Sequence, residues 1–270
     1  MIELARSVRA RARLATSSSR TLPHFLIIGA QKAGTSSLFK LLIQHSLVSR
    51  SYRKELQYFT KHFALGERWY RSQFPLRAQL GPRGITGEAT PYYLFHPFAA
   101  ERAWQTVPAA KLIILLRDPV TRAVSHYFHE VRHGYETLSI EDALASESER
   151  LANVDREMQE TGGISEAHQH FAYQARGIYV DQLARWYERY NPTRILVLRS
   201  EDFFEDPSAV TQQAQAFLDL PLEPPKDVSP KNEGIYGSRV TPTVTEALVR
   251  FYRPHNQRLY EFLGRDMAWQ

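Results

Sequence analysis

Short apolar runs alternate along the chain with stretches whose apolar residues recur at helical spacing, and this alternation predicts most of the elements. Phe25 to Ile28 form an apolar run closed by Gly29, and Ser36 to Gln44 then place apolar residues on one helical face. Strand, tight loop and helix are predicted in that order. A second buried strand, Leu112 to Leu116, runs into Asp118 and Pro119, an N-cap followed by proline at the first helical position, and the helix should reach about His133. A third strand, Arg194 to Leu198, follows the Asn191-Pro192 stop that ends a helix over Ile178 to Tyr190.

Weaker signals fill the gaps. Glu67 to Phe74 reads as a short helix and Ile85 to Gly87 as another strand. Ser139, with Asp142 three residues on, predicts a helix through the Glu-rich stretch to about Glu160, broken by Gly162 and Gly163. Pro207 opens a further helix. The tail reads as two helices, one opened by Thr241-Pro242 and one from about Pro254, with Gly264 as a stop. Apolar strands alternating with amphipathic helices define an α/β fold: one domain, with a central parallel sheet covered by helices on both faces and ligands at the carboxyl ends of the strands.

Composition narrows the class. Of 270 residues, 43% are hydrophobic and 23% charged, which fits a globular domain and excludes disordered and collagen-like chains. A net charge of +5 suits a protein that handles anions. The Lys and Arg residues are scattered among apolar helices and do not form a stripe with interleaved aromatics, so nucleic acid is not an expected partner. No cysteine is present, so disulfides, thiolate metal sites and a Cys nucleophile are excluded. No run approaches the roughly 20 apolar residues of a membrane span. Residues 1–23 carry Arg6, Arg9, Arg11, Arg13 and Arg20 against Glu3 alone, with Ser17 to Ser19 among them; the composition resembles an organelle transit peptide, but the segment reads better as a flexible basic arm before a domain at 24–270. With no apolar leader in that arm, a cytoplasmic location is expected.

The first chemical motif is Gly29-Ala30-Gln31-Lys32-Ala33-Gly34-Thr35-Ser36-Ser37, between a strand and a helix. Glycines let backbone amides turn inward, and the helix N-terminus adds donors and a positive dipole end, a setting for phosphate. In the nucleotide triphosphatase loop the lysine follows the second glycine. Here Lys32 precedes it and projects from the loop itself, while Thr35 stands after Gly34. The second motif, Leu115 to Tyr127, begins at a strand end: Arg117 stands there and Ser125 lies two turns into the helix, a guanidinium and a hydroxyl fit for a terminal phosphate. Asp118 is expected as an N-cap and Arg122 as an orienting or surface residue.

Together the two motifs resemble those of sulfotransferases that use 3′-phosphoadenosine 5′-phosphosulfate (PAPS), and the heparan sulfate branch most. The resemblance spans about residues 24 to 265 and is sharp in these motifs alone. It implies a P-loop-like domain in which Lys32, Ala33, Gly34, Thr35, Ser36 and Ser37 bind the 5′-phosphosulfate, and Lys32 stabilises the leaving phosphate. Arg117 and Ser125 would bind the 3′-phosphate, with adenosine 3′,5′-bisphosphate as product. Tyr179, in Arg176-Gly177-Ile178-Tyr179, and the loop Gly237-Ser238-Arg239 are more loosely implied on the nucleotide side. Lys54-Glu55-Leu56-Gln57-Tyr58-Phe59 resembles the segment carrying the catalytic glutamate, which makes Glu55 the candidate general base. Lys54, Tyr58, Phe59, Glu88, Thr90 and Tyr92 are the implied acceptor-side residues.

One departure from the family pattern stands at Ala89, where the polysaccharide enzymes carry lysine. It weakens the case for a strongly anionic acceptor, so a small molecule, lipid, polyketide or saccharide hydroxyl or amine stays open. No metal is implied, because a sulfuryl group carries less charge than a phosphoryl group and fixed cations can serve. The alternatives are a P-loop kinase or nucleoside triphosphatase, which the missing lysine after Gly34 opposes, and a non-catalytic nucleotide-binding module. Oligomeric state is not legible, and the acidic stretch from Glu136 to Glu160 fits either a lid or a solvated insertion.

Overall fold

A computed structural model describes residues 2–228 and 240–269, with side chains from Val8 onward. Gly237, Ser238 and Arg239 lie outside the described residues. The chain begins with α1 (Ile2–Ala15), then β1 (Phe25–Gly29), α2 (Thr35–Leu42), β2 (Val48–Arg50), α3 (Gly66–Ser72), α4 (Arg77–Leu80) and β3 (Ile85–Ala89). It continues through α5 (Ala99–Thr106), β4 (Lys111–Leu116), α6 (Pro119–His133), α7 (Ile140–Ala145), α8 (Glu147–Leu151), α9 (Val154–Thr161) and α10 (Glu166–His170). The last elements are α11 (Tyr179–Tyr187), β5 (Ile195–Arg199), α12 (Ser200–Glu205), α13 (Pro207–Phe217) and α14 (Pro242–Leu263).

The five strands form one parallel sheet in the order β2-β3-β1-β4-β5. Every residue of β1 is buried, and β4 is buried from Leu112 to Leu116. Successive strand residues face opposite sides of a sheet, so burial of the whole run requires cover on both faces, and the flanking helices supply it. This is the α/β architecture that the alternating pattern implies, with the P-loop-like arrangement that the resemblance implies. After β1 the chain moves toward β2, and after β4 toward β5. The reversal leaves a crevice at the carboxyl ends of β1 and β4, where open α/β sheets bind ligands.

Three expectations need correction. The acidic stretch is three short helices, α7, α8 and α9, and not one: Ser139 caps the first as predicted, its hydroxyl accepting from the Asp142 amide, but Ser146 and Asn153 interrupt the run. The tail is a single helix, α14, with Pro254 inside it. Val244, Leu248, Tyr252, Asn256 and Leu259 form a continuous inward stripe across the proline, and that packing outweighs a helix-interior penalty of about 3 kcal/mol. The segment expected as a flexible arm is tied down from Arg13 onward. Arg13 donates to the carbonyls of Ser72 (2.7 Å) and Phe74 (2.8 Å), and buried Arg20 donates to the Phe74 carbonyl at 2.7 Å.

Candidate active site

The loop after β1 turns on two left-handed residues, Lys32 (φ 69°) and Gly34 (φ 92°). A Cβ at Gly34 would also stand 3.1 Å from the rings of Phe203 and Phe204, so glycine is required by both conformation and space. The buried Ser200 hydroxyl donates to the Ala33 carbonyl at 2.7 Å, and the Ala33 amide donates to Ala30 at 3.2 Å. Ala33 is therefore the floor of the loop, its polar groups already engaged. Thr35 is buried and Ser36 and Ser37 are half-buried at the start of α2. The Ser37 amide turns back to Gly34, while those of Thr35 and Ser36 precede the first intrahelical bond, the place where a helix start meets an anion.

The two phosphate motifs meet directly. Arg117, at the end of β4, donates from Nη1 to the Lys32 carbonyl at 3.0 Å. Behind it, buried Tyr179 donates to the Arg117 carbonyl at 2.8 Å, so Tyr179 braces the motif from within the core. The Phe204 ring lies 5.5 Å from the Arg117 guanidinium. Asp118 caps α6 as expected, accepting from the Thr121 amide at 2.8 Å, and its own amide donates to Glu201 at 2.9 Å. Ser125 follows on the inner face of α6. Arg122 is no surface residue: it is wholly buried and donates to the Tyr173 carbonyl. Arg176, also buried, joins the Gln31 side chain of the loop to the carbonyls of His168 (2.7 Å) and Gln169 (2.8 Å).

Positive charge is concentrated on the loop. Burial lowers the Lys32 ammonium to about 8, and the charges of Arg132 and Arg117 push the same way, against Glu130 and Glu55. Glu130 is committed elsewhere: Oε2 accepts from His170 at 2.8 Å and Oε1 lies 3.1 Å from buried His126. Burial alone would raise this carboxyl, but the two imidazoles bring it down to about 2. Sequence reasoning missed Glu130 and Arg132, although His126 and Glu130 at i and i+4 share a helix face with Ser125 and Arg122.

Glu55 sits on a left-handed turn (φ 48°), 38% exposed, with the Lys54 ammonium 3.5 Å from its carboxylate. Strained backbone of this kind recurs at functional sites, and the two candidate catalytic residues, Lys32 and Glu55, both carry it. Lys54 is open to solvent. The other acceptor-side candidates lie inside. Phe59 and Tyr58 belong to an aromatic core, Tyr58 stacking on Tyr70 at 4.2 Å between centroids. Neither has surface left for a ligand, which corrects their assignment to an acceptor pocket. Tyr92 is buried with its hydroxyl 2.6 Å from His168 Nδ1.

Glu88 is wholly buried and is the hub of this region. Its Oε1 accepts from Tyr70 (2.6 Å) and Tyr93 (3.0 Å), and Oε2 accepts from Thr90 (2.7 Å). The Leu56 amide also donates to it, and the Tyr58 amide donates to Tyr93 at 2.8 Å. Glu88 and Thr90 thus fix the 54–58 turn in place and do not themselves reach an acceptor. Glu88→Ala strands these donors in the core and should cost on the order of 3 kcal/mol in denaturant unfolding. An unchanged midpoint would return Glu88 to the acceptor-contacting residues.

A parallel α/β sheet with a displaced-lysine loop at one strand end and an arginine-serine pair at the next is the frame of a group-transfer protein. The match to known proteins makes the class specific: residues 22–233 fit the sulfotransferase domain model, and the chain belongs to the sulfotransferase family, close to its heparan sulfate branch. It is 30% identical to human heparan sulfate glucosamine 3-O-sulfotransferase 6, over 93% of this chain and 74% of that protein. It is 26% identical to the membrane-associated sulfotransferase kil1 of Dictyostelium discoideum, over 92% and 67% respectively. A sulfotransferase structure from Alicyclobacillus acidocaldarius superposes with a TM-score of 0.72 at 29% identity, covering 91% of this chain and 97% of that one. Sulfuryl transfer is the activity of the class.

Proposed function

We propose that the chain transfers a sulfuryl group from PAPS to an acceptor hydroxyl or amine, with Lys32 at the leaving phosphate and Glu55 as general base. The observation that carries this reading is that Arg117 donates to the Lys32 carbonyl at 3.0 Å, which joins the two motifs at one place, with the Glu55 carboxylate also acting on the Lys32 ammonium. Arg117 and Lys32 stand together at the loop while Glu130 is held by two histidines, a setting that suits a polyanion such as a bisphosphate nucleotide.

PAPS, when bound, supplies a sulfuryl group activated by its anhydride bond to phosphate. Arg117 and Ser125 hold the 3′-phosphate, and the amides of Thr35 and Ser36 with the Lys32 ammonium hold the 5′ end. Glu55 takes the acceptor proton as the acceptor atom bonds to sulfur. The electron pair of the breaking S–O bond passes to the 5′-phosphate, whose new charge Lys32 offsets. Titration calorimetry should show adenosine 3′,5′-bisphosphate binding at a single site, and Arg117→Ala should weaken it at least tenfold, the scale of one lost charge-assisted bond of about 1.5–3 kcal/mol. Absence of binding by the unaltered protein would refute the donor assignment.

A further inference from the structure

The helix that precedes the family domain brings a second group of cations to the acceptor end of the sheet. Arg9 and Arg13 of α1 lie over the Tyr52 ring, with guanidinium carbons 5.3 and 4.6 Å from its centroid. Arg50, the last residue of β2, joins them around a cleft of about 220 Å³ completed by Ser51, Tyr52, Pro75 and Gln79. Among the described residues no acidic side chain lines it. Among the described residues none of the three arginines takes part in an ion pair. The nearby Glu67 is already held by Arg71 at 2.5 Å.

Like charges gathered at one opening repel one another. Burial brings the Arg13 guanidinium down to about 10, with Arg20 and Arg9 pushing the same way and Tyr52 against them. Two of its nitrogens, Nε and Nη2, are spent on the carbonyls of Ser72 and Phe74, which fixes the side chain as part of the wall. A tethered guanidinium with two more at the same opening is an arrangement that suits sulfate, phosphate or carboxylate, whose oxygens match the planar fork.

Position assigns the source of the anion. Arg50 pairs in register with Gly87, one residue before Glu88, at the carboxyl end of β2. It stands five residues before Glu55, so the cleft is within about 17 Å of the candidate base by chain reach. The donor loops follow β1 and β4, so β2 and β3 end on the opposite, acceptor side. We propose that this cleft between α1 and the end of β2 is an oxyanion subsite that binds an anionic substituent of an extended acceptor. The assignment to the acceptor rests on the sulfuryl-transfer reading given above; the anion site itself does not.

Calorimetry tests it with sodium sulfate titrated at constant ionic strength into protein saturated with adenosine 3′,5′-bisphosphate, which occupies the donor phosphate positions. One sulfate site is expected. Arg9→Ala/Arg50→Ala, which alters exposed residues and leaves Arg13 in place, should weaken it at least tenfold while nucleotide affinity and melting temperature hold. A heparan sulfate hexasaccharide should then bind at least tenfold tighter than its unsulfated counterpart, and the double variant should lose that preference. Equal sulfate affinity in both proteins overturns the site. Sulfate binding with no preference between the saccharides overturns its assignment to the acceptor. So does a variant whose one defect is in binding phosphatidylserine vesicles, a result that makes the patch a membrane contact. Failure of the unaltered protein to bind the nucleotide counts against the donor reading alone, because a sulfate titration without nucleotide still reads the cleft.

Discussion

Lys32→Ala is expected to lower kcat about 10²–10³-fold, the scale of removing one fixed donor from developing negative charge, measured by transfer of labelled sulfate from PAPS. The same change should leave the melting temperature unaltered or raise it. In the unliganded protein this ammonium is desolvated and faces Arg132 and Arg117, so its removal relieves the fold. The pH dependence has a definite sign. Lys32 acts as a cation and its pKa is lowered to about 8, so it is protonated below that value and neutral above it. kcat/KM, which reports the free enzyme, should therefore fall as pH rises through about 8. A Lys32→Ala protein with full transfer activity would remove the lysine from the mechanism.

The second large effect is expected at Glu55. Glu55→Gln keeps the shape of the side chain and its place on the turn but cannot take a proton, and should reduce kcat about 10²–10⁴-fold. Affinity for adenosine 3′,5′-bisphosphate should be unchanged, because the residue lies on the acceptor side of Lys32. Separate measurement of the two quantities divides the roles: Lys32→Ala should affect both nucleotide affinity and turnover, Glu55→Gln turnover alone. Retention of turnover by Glu55→Gln at saturating acceptor would send the search for the base to another group.

The parts of this molecule that were legible in advance are those written in local pattern. β1, β4 and β5 are uninterrupted apolar runs because both faces of the sheet are covered, and such runs stand out from any helix. β2 escaped because it has three residues, of which only Val48 is buried, at the edge of the sheet. Pro254 misled because a helix-breaking side chain is a local signal, whereas the inward stripe from Val244 to Leu259 that overrides it is a property of the packed protein. In α1 the arginines read as a solvated arm, since no local feature shows that Arg13 will find the carbonyls of Ser72 and Phe74 some sixty residues away.

The site divides along the same line. Lys32, Gly34 and Arg117 could be named as candidates because they fall in short motifs at strand ends. Their direct contact across 85 residues was not legible, and neither was Arg132 on the far turn of α6. Tyr58, Phe59 and Glu88 went to the wrong side of the surface because residue type alone does not distinguish an aromatic lining a pocket from one in the core. It does not distinguish a carboxylate that meets a ligand from one that organises hydroxyls either.

Because that buried carboxylate grips the main chain immediately after Glu55, and Tyr93 grips it two residues further on, the candidate base is mounted on the central scaffold and not on the rim. Variation in the outer loops can alter which molecules are admitted while the reacting groups stay in register.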